Sequence, residues 1–268
     1  MTEAALASYV YCVVPAGEVP VLEGLAGVDS SFGVDWLAQG DLNAVVSRVR
    51  LQEFGAEALE RNLEELAWLE RIARAHDAVL ARVLVSDAVV PLRLCTIFAD
   101  EVGVRDALRR EREPLLAALR RVRGHTEWSV KILADPGTLE AACRERSSAL
   151  AGTDTRAAGR AYFARKKIER VAQDDAHAMI ERAAEETHAC LRDQAAAAAI
   201  LPPQDRRLSG RSGEMVLNGA YLVERSSAAR FAAVTKELDA RHREIGLTLE
   251  LSGPFAPYNF VPSGNRLP

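Results

Sequence analysis

Lysine is nearly absent from this sequence: of 34 basic residues only Lys131, Lys166, Lys167 and Lys236 are lysine. Set against 38 acidic side chains, the basic residues leave a formal net charge of -4. No global positive field therefore exists to draw the chain to nucleic acid or to an anionic bilayer. The four cysteines, Cys12, Cys95, Cys143 and Cys190, form no C-x-x-C pair. They fit neither a zinc ribbon nor a redox motif and read as buried thiols. No apolar run approaches the ~18 residues of a membrane span, and Met1 to Ala5 lack the basic start and apolar core of a signal peptide. The expectation is a cytoplasmic protein without a membrane partner.

What is present is ordinary globular composition. An apolar share of 49% and a charged share of 27% lie far from the low-hydrophobicity, high-charge corner where chains stay disordered. A length of 268 residues allows one large domain or two of ordinary size, with a core that needs neither metal nor crosslinks.

Ser8 to Val14 is a β-branched and aromatic run stopped by Pro15 and Gly17, which predicts a buried strand; Leu42 to Val49 is the next. The Gly-rich stretch Gly17 to Gly40 reads as a loop with at most a short turn of helix. Apolar positions Leu59, Leu63, Leu66, Leu69, Ala73, Val79 and Leu80 predict one long amphipathic helix over Ala56 to Val83. A strand over Val89 to Phe98 follows, placed at an edge or bulge by Pro91. A helix over Glu101 to Val122 is ended by Gly124.

Glu127 to Leu133 alternates polar and apolar side chains as a half-buried strand does, and Asp135-Pro136 opens a helix that Gly152 closes. Arg156 to Ala199 carries Ile168, Ala172, Ala176, Met179, Ala183, Thr187 and Cys190 on one narrow stripe. As a single rod it would run roughly 65 Å, too long for a domain of this size, so it either breaks near Gly159 or after Thr187, or projects at one end. Strands around Arg206 to Ser209 and Met215 to Val223, a helix from Ser227 to Arg243 and a strand from Leu247 to Ser252 complete the series. The fold class is α+β in two domains: a mixed N-terminal domain over residues 1–125, and a modified ferredoxin-like βαββαβ domain with a long helix over residues 126–268.

Catalytic chemistry finds no handle. Gly210-Arg211-Ser212-Gly213 is too short for a phosphate-cradling loop, and no Gly-x-Ser-x-Gly elbow occurs. Glu185 and His188 have the carboxylate-imidazole spacing of a di-iron helix, but the second copy is missing. His177 and His188 stand roughly 16 Å apart along a helix, too far to share an ion. His76 and Asp77 point about 100° apart, so the pair reads as surface or capping. His125 and His242 have no acidic or thiol cluster beside them. No cofactor or metal is expected.

Two features point to protein contacts. Strand alternation places Arg93 with Val89, Pro91, Cys95 and Ile97, where it either bridges to a helix carboxylate such as Glu64 or Glu70 or meets a partner. The segment Gly253 to Pro262 holds three prolines, which forbid regular structure, and the aromatics Phe255, Tyr258 and Phe260, which demand burial. It is either folded back on its own protein or kept as an aromatic face for a partner.

These residues resemble the gas vesicle protein GvpL/GvpF family along nearly the whole chain. The resemblance runs through Tyr9-Val10-Tyr11, Val89-Val90-Pro91-Leu92-Arg93 with Thr96 and Phe98, and Gly159 with Tyr162 and Lys166. It continues through Asn218-Gly219-Ala220-Tyr221-Leu222-Val223 and Gly253-Pro254 with Pro257-Tyr258 and Phe260. The family often has Arg-Phe-Gly-Thr where Arg93-Leu94-Cys95-Thr96 stands here, and a tryptophan at Phe255. The resemblance implies a cytoplasmic, non-enzymatic accessory protein for building gas vesicles, with two α+β domains, the second a modified ferredoxin fold. It implies as partners the small apolar shell protein and other gas vesicle accessory proteins, with Arg93, Tyr221, Phe255, Tyr258 and Phe260 as candidate contact residues. The competing expectation is a small-molecule-binding or enzymatic ferredoxin-like protein with a cleft between sheet and helices.

Overall fold

The computed structural model describes residues 5–17, 21–135, 137, 141, 158–203, 213–243 and 245–261. The chain divides into two compact units, Met1–Glu127 with Pro254–Pro268, and Trp128–Gly253.

The first unit is built on a sheet of β1 (Leu6–Pro15), β2 (Val34–Gln39), β3 (Leu42–Arg50), β4 (Val90–Pro91) and β5 (Ile97–Phe98). The order is β2-β3-β1, with β4 and β5 both pairing antiparallel to the free side of β1. The register between β1 and β3 slips between Val10 and Cys12, which makes Tyr11 a β-bulge residue. A bulge shifts the alternation by one residue, so Tyr9 and Tyr11, then Cys12 and Val14, all join one core cluster. That face is covered by α1 (Leu51–Phe54), α2 (Ala56–Asn62) and α3 (Leu66–Val83) through Phe54, Trp68, Ile72, Val79, Leu80 and Val83. Two further helices, α4 (Glu101–Arg110) and α5 (Arg112–Val122), pack on β1 with Val104, Leu108, Leu115 and Leu119 buried. Asp100 caps α4 by accepting a hydrogen bond from the Gly103 amide at 2.8 Å, and Gly124, at φ 71°, follows the end of α5 as expected.

Four local expectations change here. The Gly-rich loop contains β2, which pairs with β3 from Val34 opposite Ser47 to Gln39 opposite Leu42. The long helix breaks into α2 and α3 at Leu63 to Glu65, and the buried stripe is Trp68, Ile72, His76, Val79 and Val83. Leu66, read from its spacing as a core residue, is 77% exposed. Helix 101–122 is two helices meeting at Glu111. The strand over Val89 to Phe98 is an arch that crosses β1 twice: Leu92 donates to the Tyr11 carbonyl and Val10 to the Thr96 carbonyl.

The second unit is a four-stranded sheet of β6 (His125–Ala134), β7 (Ala197–Ile200), β8 (Glu214–Glu224) and β9 (Leu247–Phe255), in the order β7-β8-β6-β9. Counted along the chain, the sheet runs second, third, first, fourth, which is the strand order of the ferredoxin-like plan. Helices α6 (Ala158–Arg192) and α7 (Ala228–Arg243) enclose a core of Val130, Ile132, Ile180, Leu191, Tyr221 and Phe231. The α6 stripe holds at Ala172, Ala176, Ala183 and Thr187. The helix stops at Arg192, and Ala197 to Ala199 form a strand instead of a final helical turn. Their amides are claimed by β8, with Ala197 opposite Leu222 and Ile200 opposite Gly219, so pairing overrides alanine's helix propensity. Of the expected helix after Asp135-Pro136, residues 137 and 141 are helical and Asp135 accepts from the Gly137 amide at 3.2 Å; the rest of it with its Gly152 end, Cys143, the strand around Arg206 to Ser209 and all of the Gly210 to Gly213 turn but Gly213 lie outside the described residues. Strand β9 extends through Pro254, tolerated because β9 is an edge of its sheet and needs no proline N–H.

Candidate functional site

The residues at 254–261 group with the first unit, whereas the sequence reading assigned the tail to the second domain. Ala256 and Phe260 are buried. Tyr258 to Phe260 form a single 3₁₀ turn.

Two polar anchors hold this turn. Glu127 is buried and its carboxylate accepts from the Asn259 amide at 2.9 Å and from Asn259 Nδ2 at 2.6 Å. Burial pushes the Glu127 carboxyl above its ordinary value, and the two Asn259 N–H groups only partly offset that.

His76 is the second anchor. It is a core residue, correcting the expectation of a surface or capping role. The Cys95 amide donates to the Tyr9 phenolic oxygen at 3.0 Å, which leaves the Tyr9 proton for His76 Nδ1 at 2.9 Å. The neutral ring then carries its own proton on Nε2 and donates to the Tyr258 hydroxyl at 3.0 Å. Burial lowers the His76 pKa to about 4, so the ring stays neutral at pH 7. Burial likewise pushes the Tyr9 and Tyr258 phenols well above their usual range. The Tyr9 and His76 protons are each committed to a neighbour, an arrangement that positions the Tyr258 ring against the first strand.

Around this relay the aromatic rings interlock. Tyr9 lies 4.8 Å from Tyr11 and 5.7 Å from His76, centroid to centroid, with Phe54 and Trp68 continuing the cluster. The Tyr11 hydroxyl bonds to Ser47 Oγ at 2.8 Å and accepts from the Val28 amide at 2.8 Å. A Cβ on Gly27 would stand 2.6 Å from that same Ser47 Oγ, so only glycine fits. Asp29, also buried, is held by a two-point bond to Arg50 at 2.8 and 3.0 Å. Burial works to raise its pKa, but the Arg50 bonds and the Ser31 amide together carry it below the ordinary value.

The residues expected to meet a partner fall into two classes. Phe255 and Tyr258 are 45% and 37% exposed, and Arg93 is exposed in the arch between β4 and β5. Glu70, one carboxylate considered for Arg93, pairs with Arg74. Tyr221 and Phe260 are interior residues. Tyr221 fills the second unit's core, 5.5 Å from Phe231, and its hydroxyl meets His188 Nδ1 at 3.0 Å.

That bond also accounts for His188, and His242 bonds to Thr187 at 3.1 Å. Among the described residues no group of three or more His, Cys, Asp or Glu is arranged to hold a metal ion. No helix among them is long and apolar enough to cross a membrane. Cys12 is buried, while Cys95 and Cys190 are half-buried.

The chain matches the family described as gas vesicle synthesis protein GvpL/GvpF over residues 7–262. It is 36% identical to gas vesicle protein L of Streptomyces sp. (strain CB03234), over 94% of this chain and 92% of that protein. It is 30% identical to gas vesicle protein F of the same organism, over 96% and 100%. Its fold is similar to the crystal structure of GvpF from Anabaena sp. PCC7120, with a TM-score of 0.70 and 18% identity over 98% of this chain and 100% of that one. GvpF from Microcystis aeruginosa superposes with a TM-score of 0.63 at 17% identity, over 96% and 99%.

Proposed function

The chain belongs to the GvpL/GvpF family of gas vesicle synthesis proteins, and from that premise we propose that it assists vesicle assembly by binding the small hydrophobic shell protein. In this reading it limits aggregation of the shell subunit and helps start or extend the wall, working in the cytoplasm beside other gas vesicle accessory proteins. A second reading, carried by the same family membership, makes it a minor gas-facing component of the finished vesicle. The observation that carries the reading is the family match across residues 7–262, from β1 to the tail. A subunit that polymerises into a water-excluding wall is apolar before assembly, and its carrier needs exposed apolar contacts more than reactive groups. Phe255 and Tyr258 supply such contacts from a segment already fixed in place by Glu127 and His76.

The test is co-purification with the shell protein, together with light scattering of that protein alone and with this chain added. Binding and suppressed scattering are expected, with Phe255→Ser weakening both. Absence of binding and unchanged scattering overturn the reading. Immunodetection in purified intact vesicles reports on retention in the wall.

A further inference from the structure

The sheet of the first unit has a second face, turned away from Tyr9 and Tyr11. On it Ser8 of β1 stands opposite Arg48 of β3, and Asp35 of β2 stands opposite Val46, so Asp35 and Arg48 are diagonal neighbours. One step past the pair of Val34 and Ser47, Gly33 flanks Arg48 on its other side. Both cross-strand neighbours of Arg48 are thus small, and the start of α4 borders the space they leave. The result is a hollow of about 310 Å³, lined by Phe32, Asp35, Val46, Arg48 and Glu101 with Ser8 at its floor.

Arg48 and Asp35 are not spent on each other. Diagonal neighbours on a sheet lie about 7–8 Å apart, within reach of a long side chain, yet the Arg48 guanidinium makes no ion pair among the described residues. The Asp35 carboxylate accepts only from the Trp36 amide of its own strand, at 2.8 Å, and Glu101 is paired with Arg105 at 3.8 Å. Ser8 is 7% exposed, and its hydroxyl has no partner among the described residues. The half-buried ring of Phe32 and the buried Val46 supply an apolar wall. A purely cationic ligand would be repelled by Arg48 and a purely anionic one by Asp35. The ligand that complements both is a small molecule bearing the two charges and an apolar chain, and the hollow stands at the small end of the ~300–1,000 Å³ range of such sites.

We propose that this hollow binds a free, zwitterionic α-amino acid with an apolar side chain. Its carboxylate meets the Arg48 guanidinium and the Ser8 hydroxyl, its ammonium meets the Asp35 carboxylate, and its side chain lies against Phe32 and Val46. The site is independent of shell-protein binding, because it uses neither Phe255 nor Tyr258.

Amide chemical shifts of the isotope-labelled full chain, titrated with L-norleucine, test it. Saturable shifts are expected at Ser8, Phe32 to Asp35 and Val46 to Arg48, with a dissociation constant of about 1 mM or tighter. Pentylamine, which lacks the carboxylate, and hexanoate, which lacks the ammonium, should each bind about 10-fold or more weakly. Arg48→Gln should weaken norleucine about 10-fold and remove its advantage over pentylamine; Asp35→Asn should weaken it equally and remove its advantage over hexanoate. Both side chains are exposed, so melting should match the parent. Gly33→Leu should fill the hollow and abolish binding with the fold kept, since an added Cβ there has only the Leu25 carbonyl within contact, at 3.8 Å. No saturable shift up to about 10 mM norleucine, pentylamine or hexanoate binding as tightly as norleucine, or binding unchanged by Gly33→Leu overturns the proposal.

Discussion

The hydroxyl of Tyr258 lies 3.0 Å from Nε2 of His76, and through that ring the tail is tied to Tyr9 of the first strand. A side chain in the middle of α3 thus holds two segments distant in sequence, and it does so only while uncharged. Several measurable outcomes depend on this arrangement and on the backbone geometry around it.

Replacing His76 by alanine opens a cavity among Tyr9, Tyr11 and Tyr258 and removes the hydrogen-bond partner of two hydroxyls. The expected loss is about 2–4 kcal/mol in urea unfolding. Tyr258→Phe keeps the ring and removes one bond, so it should cost about 1 kcal/mol and raise amide exchange selectively over residues 256–261.

Acid should unlock the same contact. The folded state holds His76 at a pKa of about 4 against an ordinary 6.5, so its contribution is complete above pH 6.5 and is lost as pH falls toward 4. The loss amounts to about 3 kcal/mol at most. His76→Phe should flatten the stability profile over that window. Glu127 has the opposite sign: its folded pKa is raised, so ionisation on raising the pH costs stability. Glu127→Gln should therefore flatten the profile just above the ordinary carboxylate range. Urea unfolding at stepped pH reads both.

Cys95 has a φ of 61°, the only non-glycine residue with positive φ among the described residues. The residue lies in the arch between β4 and β5, in the left-handed region that glycine adopts without strain. Cys95→Gly should raise stability by about 1 kcal/mol while keeping the amide bond to Tyr9, and Cys95→Val should lower it. Thermal melting of the three proteins gives the order.

Gly219 sits against the ring of Tyr221, where an added Cβ would meet ring atoms at 2.7 Å. Gly219→Ala should cost about 1–3 kcal/mol through displacement of a fully buried tyrosine. Tyr221→Phe, which loses only the bond to His188, should cost less. Near-ultraviolet circular dichroism should report the ring's shift in the alanine variant alone.

Much of the framework was legible in the residues. β1 and β3 announced themselves by β-branched runs, and the end of α5 by Gly124. What escaped has identifiable causes. Strand β2 hides among glycines because its pairing with β3, and not local propensity, makes it a strand. The regular leucines at 59, 63 and 66 suggested one helix, yet the residues that face the core begin at Trp68. Ala197 to Ala199 follow their neighbour β8. His76 was readable: it falls four residues after Ile72 and three before Val79, on the apolar stripe, and a histidine there faces the same interior as Tyr9 and Tyr11. The tail's composition left docking and display both open, and the structure contains both, with Phe260 inside and Phe255 outside.

The order of synthesis gains weight from the place of Ala256 and Phe260 in the first unit's interior. Residues 5–127 leave the ribosome well before those two exist, and Trp128–Gly253 must be translated in between. Through that interval the seats for the methyl and phenyl groups stand open to water, in a nascent chain that is otherwise able to collapse. The body begun first is thus completed last, by residues that follow the whole of the second.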